Sequence, residues 1–135
     1  FLTLHPLKYA ELLEKKLNEF NSEVYLVNTG WSGSSSTSGS KRIDLKLTKH
    51  IIDLITENKL DFSKSIRDKF FNLEIPLNLE GLDNDFLVPH KSWSNIEEYQ
   101  SVGNMLTRLF KLNFEKYDIS DTDIIGAGPS SQLSS

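Results

Sequence analysis

Apolar and polar positions alternate along this chain in blocks of distinct period. Tyr9, Ala10, Leu13, Leu17 and Phe20 recur at helical spacing, with Lys8, Glu11, Glu14, Lys15, Lys16 and Glu19 on the other face. Pro6 after His5 suits the first helical position, where its missing N–H is not needed, and the pattern stops near Asn21-Ser22. Val24-Tyr25-Leu26-Val27 is then an unbroken apolar run closed by Asn28 and Gly30, which predicts a buried strand at about 24–28. Leu45, Leu47, Ile51, Leu54 and Ile55 place a second apolar stripe on a helix from about Leu47 to Asn58, with Thr48 in its first turn.

Beyond Asp61 the period is mixed until Phe71/Leu73/Ile75 alternate with Asn72/Glu74, which predicts an amphipathic strand whose pairing ends at Pro76. Asn78 to Ser92 reads as a long loop. Ser94-Asn95-Ile96-Glu97 has the form of a capping box, serine oxygen to the Glu97 amide and Glu97 carboxylate to the Ser94 amide. It opens the longest expected helix, Asn95 to about Tyr117, with a stripe of Tyr99, Val102, Leu106, Leu109, Phe110 and Phe114 and with Gly103 at a cost of about 1 kcal/mol. The resulting fold class is α/β in the mixed α+β sense, three main helices around a central strand at about 24–28. Residues 1–117 form the folded part, and 118–135, rich in Gly, Pro and Ser towards its end, form a tail expected to be partly disordered.

The 135 residues suffice for one domain with a core. A formal charge of −4 argues against a general nucleic-acid or anionic-membrane surface, and no apolar run approaches the roughly 20 residues of a membrane span. The absence of cysteine removes disulfides and thiolate metal sites and suits a reducing compartment, with the cytoplasm as the default. Phe1-Leu2-Thr3-Leu4 is apolar, without capping or linker character, so the chain reads as part of a larger protein.

Candidate chemistry is sparse. The stretch Gly30 to Ser40 invites comparison with a phosphate cradle, but a Walker loop needs Gly, four residues and then Gly-Lys-Ser/Thr, whereas Gly39 is followed by Ser40-Lys41-Arg42. A flexible surface loop is the plainer reading. His5, His50 and His90 lack partners at metal-ligand spacing, and Asp83-Asn84-Asp85 lacks the calcium-loop pattern. No Gly-x-Ser-x-Gly is present. Trp31 and Trp93 suit packing under loops, Trp31 keeping a ligand-stacking alternative beside the expected strand end. Arg42 and Thr48 could stack on and hydrogen-bond a purine, against the blander reading of a solvated arginine and a helix-start threonine.

An ordered set of segments carries a resemblance. Phe1-Leu2-Thr3-Leu4-His5-Pro6 with Tyr9-Ala10, Val24 to Trp31, Lys41-Arg42-Ile43, Ile51-Ile52-Asp53, Asn72-Leu73, Ile75-Pro76, Pro89 to Trp93, Leu109-Phe110 with Asn113-Phe114, and Ala127-Gly128-Pro129 resemble the C-terminal part of ATP-dependent phosphoenolpyruvate carboxykinase. The string Tyr-Leu-Val-Asn-Thr-Gly-Trp is the most specific of them. The resemblance implies a carboxy-lyase of gluconeogenesis that converts oxaloacetate and ATP to phosphoenolpyruvate, ADP and carbon dioxide with Mg²⁺ and Mn²⁺. It implies that 1–117 belongs to a mononucleotide-binding domain whose adenine site falls on Arg42, Ile43 and Thr48. The family's phosphate loop, metal ligands and oxaloacetate-binding residues have no counterpart here, so this piece alone is expected to be inactive and to depend on the missing N-terminal part of its own chain. Two departures stand out: a longer, serine-rich link from Trp31 to Lys41, and Val88-Pro89-His90-Lys91 where the family tends to carry Asn-Pro-Arg. The alternative from another class is a small αβ binding or interaction module without catalytic activity.

Overall fold

The computed structural model describes residues 3–34, 40–82 and 84–131. Phe1-Leu2, the middle of the serine-rich link, Asp83 and the last four residues lie outside the described residues.

Helix α1 (Pro6–Phe20) begins where the proline predicts. Its N-cap is His5, whose Nδ1 accepts from the Leu7 amide at 3.3 Å while Nε2–H donates to the Tyr117 carbonyl at 3.1 Å. One imidazole thus closes the helix and ties it to the far end of the chain. Asn21 ends α1 in the left-handed conformation, φ 48°. The next segment corrects the sequence expectation: Val24–Asn28 carries no strand ladder, and Val24 and Leu26 are 57% and 77% exposed. A strand exists only through its neighbours, and no described segment pairs with this one. Tyr25 does stack on Phe62, ring centroids 6.2 Å apart.

The serine-rich link is closed by a short antiparallel pair, β1 (Trp31–Ser32) and β2 (Lys41–Arg42), with Trp31 opposite Arg42 and Ser32 opposite Lys41. Helix α2 (Leu45–Thr56) follows, two residues earlier than the apolar period indicated, because the Asp44 side chain caps it by accepting from the Lys46 amide at 2.8 Å. It leans on the segment after the second sheet through His50, whose Nε2–H donates to the Glu80 carbonyl at 2.7 Å.

That second sheet pairs β3 (Asp61–Arg67), which periodicity left unassigned, with β4 (Glu74–Asn78). The ladder runs Arg67–Glu74, Ile66–Ile75 and Ser65–Pro76, then shifts before Asp61 meets Asn78. Pro76 therefore sits inside the ladder instead of ending it. A two-stranded ladder leaves alternate N–H groups unpaired, so the proline is tolerated. The turn joining the strands is held by Asp68, whose carboxylate accepts from the Phe70 and Phe71 amides at 3.1 and 2.7 Å.

The expected loop from Asn78 to Ser92 contains two short helical turns, α3 (Asn84–Leu87) and a 3₁₀ turn at Pro89–Ser92. Helix α4 (Ile96–Phe114) runs on into a 3₁₀ turn at Glu115–Tyr117, as the sequence indicated, but its cap is Asn95 and not Ser94. The Asn95 Oδ1 accepts from the Glu97 and Glu98 amides at 2.9 and 3.2 Å. The buried face of α4 also differs from the expected stripe: Gly103 and Thr107 are buried, whereas Leu109 and Phe110 are exposed. The tail forms α5 (Thr122–Ala127) and then returns to the β3–β4 turn, where Ser130 donates from its amide to the Phe70 carbonyl at 2.8 Å and from its hydroxyl to the Lys69 carbonyl at 2.9 Å.

The core among the described residues is small: Leu54, Phe70, Leu79 and Val88, with Thr107 also fully buried. Phe70 lies on Gly103 and meets the ring of Tyr99 edge-on at 5.6 Å; Trp93 meets Tyr99 likewise at 5.6 Å. The chain exposes 10549 Å². A globular monomer of 15.4 kDa is expected to expose roughly 7200 Å².

Candidate nucleotide site

Three of the residues singled out by sequence, Arg42, Ile43 and Thr48, lie on one continuous path from β2 into the first turn of α2. The path starts at Asn28. Its side chain accepts from the Gly30 amide at 2.9 Å and donates from Nδ2 to the Trp31 carbonyl at 3.0 Å, closing a tight turn before β1. The Gly30 carbonyl accepts from the Ile43 amide at 2.9 Å, so the ladder begun by Trp31 and Arg42 is extended by one residue. Asp44 then caps α2, and its carbonyl accepts from the Thr48 amide at 3.0 Å and from the Thr48 hydroxyl at 3.4 Å.

The other side of β1 is supported by the 3₁₀ turn. Ser32 and Ser92 hydroxyls are 3.3 Å apart, and Ser92 Oγ donates to the Pro89 carbonyl at 2.8 Å. Gly33 is required there: its φ is +91°, and a Cβ would stand 3.0 Å from the Ser92 carbonyl oxygen.

Lys41 and Arg42 are exposed, while Ile43 and Thr48 are partly buried. The arrangement therefore offers a cation at a strand end, an apolar side chain next to it and a hydroxyl one helical turn further on. Trp31, directly opposite Arg42 in the ladder, is 50% exposed, so the expectation that it packs under a loop does not describe it. Side chains directly opposite in an antiparallel pair share a face of the ladder. Trp93, by contrast, packs edge-on against Tyr99 of α4.

The histidines are dispersed: His5 caps α1, His50 bonds Glu80, and His90 lies 6.1 Å from the Tyr99 ring. Among the described residues no group of three or more His, Cys, Asp or Glu could hold a metal ion. A wide cavity of about 1080 Å³ opens between the Asp68–Phe70 turn, Val88–His90 and the first turns of α4, and neither Arg42, Ile43 nor Thr48 lines it. At its edge lies Tyr99, whose phenol is pushed up to about 12, chiefly by burial and then by the negative charge of Asp68.

Comparison with known proteins decides the family. The phosphoenolpyruvate carboxykinase family model matches residues 1–85. The chain belongs to the phosphoenolpyruvate carboxykinase family. It is 41% identical over 131 residues to a Candida glabrata protein named phosphoenolpyruvate carboxykinase (ATP), and the match covers 96% of this chain and 24% of that relative. The chain thus spans about a quarter of the length of that curated relative. The sequence marks Asn28-Thr29-Gly30-Trp31 as a turn after the apolar run, and the turn is present; that the Asn28 side chain closes it from both sides is what the structure adds.

Proposed function

We propose that this chain is the adenine-binding C-terminal portion of an ATP-dependent phosphoenolpyruvate carboxykinase. The full-length enzyme would convert oxaloacetate and ATP to phosphoenolpyruvate, ADP and carbon dioxide in the cytoplasm, as a step of gluconeogenesis. The observation that carries the reading is the hydrogen-bonded path from Gly30 through Ile43 and Asp44 to Thr48, with the exposed Arg42 guanidinium beside it, in a chain of this family. Arg42 would lie over or beside the purine, Ile43 would supply an apolar wall, and the Thr48 hydroxyl would contact base or ribose.

Phosphoryl transfer is catalysed chiefly by positioned phosphate ligands and metal ions. The described residues gather no carboxylate or histidine set for Mg²⁺ or Mn²⁺. Those cations, the triphosphate and oxaloacetate would be held by residues in the remainder of the relative's length. Residues 1–117 are proposed as part of the nucleotide-binding domain, and the apolar side chains left on the surface, Leu13, Phe20, Val24, Leu26, Phe110 and Ile125 among them, as the face on which that remainder packs.

ATP titration of the full-length enzyme and its Arg42→Ala variant tests the assignment. The adenine contacts change little between ground and transition state, so their loss raises KM for ATP and leaves kcat less affected. Loss of one stacking cation is worth on the order of 1 to 2 kcal/mol, or roughly five- to thirtyfold in affinity. Unchanged ATP affinity rejects the adenine assignment. An equal loss for inorganic pyrophosphate moves Arg42 to the phosphates.

A further inference from the structure

We infer that Asn28 is a positioning residue for the nucleotide base, acting through Arg42 and Ile43 without touching the ligand. The inference rests on the adenine reading of those two residues and names what holds them. Arg42 and Ile43 are set by two backbone links to the turn that Asn28 closes. Arg42 pairs with Trp31, and the Ile43 amide donates to the Gly30 carbonyl at 2.9 Å. Both link partners are themselves held by the Asn28 side chain, Gly30 through its amide and Trp31 through its carbonyl, at 2.9 and 3.0 Å.

β1 and β2 are only two residues long, so the ladder cannot set its own register by length. The turn before β1 therefore fixes where the Arg42–Ile43 edge lies. The Asn28 amide is suited to this because it bonds one donor and one acceptor at once. Aspartate offers acceptors only, and alanine neither. The local backbone before the turn supplies no alternative support, since Val24–Asn28 is unpaired among the described residues.

The test is a cycle on the full-length enzyme comparing wild type, Asn28→Ala, Asn28→Asp, Arg42→Ala and the Asn28→Ala/Arg42→Ala double variant. Each is assayed for KM for ATP, kcat and inhibition by inorganic pyrophosphate. Asn28→Ala is expected to raise KM for ATP roughly three- to tenfold, the scale of one or two exposed hydrogen bonds, with kcat within about twofold and pyrophosphate inhibition unchanged. Asn28→Asp, which keeps the acceptor for the Gly30 amide, falls between. On the Arg42→Ala background the Asn28→Ala substitution adds clearly less than its loss in the wild-type background, because one of the two groups it positions is gone and only Ile43 remains.

A merely structural asparagine would instead weaken pyrophosphate and ATP together and add fully to Arg42→Ala. That result overturns the inference, as does an unchanged KM in Asn28→Ala when Arg42→Ala alone weakens ATP. If Arg42→Ala itself leaves ATP affinity unchanged, the adenine reading falls and takes this inference with it.

Discussion

Gly103 is the residue that most constrains the small core. A Cβ built on it would lie 2.5, 2.6 and 2.8 Å from three atoms of the Phe70 ring, and a ring cannot yield by a side-chain rotation as a flexible chain end can. Alanine would gain about 1 kcal/mol of helix propensity and pay strain of about 1 to 3 kcal/mol. Gly103→Ala is therefore expected to lower the urea midpoint, with a net loss of up to about 2 kcal/mol, and Phe70→Leu in the same molecule to recover part of it. A higher midpoint in Gly103→Ala would show that the ring moves freely. Tyr99 makes a second prediction. Its folded-state phenol, at about 12, lies above the ordinary 10.0, so the native state keeps a proton that the unfolded state has already released. The stability it contributes is complete below pH 10 and declines as pH rises from 10 to 12. Tyr99→Phe should flatten that part of the stability curve. Parallel alkaline curves for the two proteins would exclude Tyr99 as the source.

At the scale of elements, helix ends are decided by side-chain oxygens as much as by apolar period. Asn95 accepts from two amides of α4 and Asp44 from one of α2. Asn95→Ala and Asp44→Ala should each cost about 1 kcal/mol in thermal or urea unfolding, whereas Ser94→Ala should change little. A larger loss for Ser94→Ala than for Asn95→Ala would restore the capping box read from the sequence. The capping misassignment has a simple origin: Ser94 and Asn95 are both good caps one residue apart, and spacing to Glu97 favours the serine, while the Asn95 backbone, φ −127° and ψ 113°, is what places its amide oxygen over the next amides.

For the whole molecule, the exposed 10549 Å² against roughly 7200 Å² expected is the dominant fact. Part of the excess is apolar, on α1, on Val24–Leu26, on α4 and on α5, and exposed apolar area of this extent promotes association. The 135-residue chain by itself should bind a hydrophobic dye such as anilinonaphthalene sulfonate strongly, and the full-length protein weakly per mole. Equal, strong dye binding by both would mean that these faces are not covered in the larger protein. The isolated chain should also show no ATP-dependent decarboxylation of oxaloacetate above the metal-catalysed background, since its described residues gather no group of three or more His, Cys, Asp or Glu for a metal ion. Measurable turnover would overturn that expectation.

The sequence by itself determined the elements that stabilise themselves locally. Helices α1, α2 and α4 were legible because period, proline and capping residues act within a few positions of one another. It also determined the family, through ordered strings such as Val24 to Trp31. Only the tertiary structure decided which of those strings find partners. Val24–Leu26 has the composition of a buried strand, but composition does not supply a neighbouring strand, and here Val24 and Leu26 face solvent while Tyr25 stacks on Phe62. β3 went unread because its exposed polar residues carry no clean alternation, and its existence depends on β4 across the Asp68 turn. Likewise Arg42, Ile43 and Thr48 could be named from the sequence, but their support by Asn28, Gly30 and Asp44 arises from hydrogen bonds across the turn and around the helix cap, which residue spacing alone does not specify.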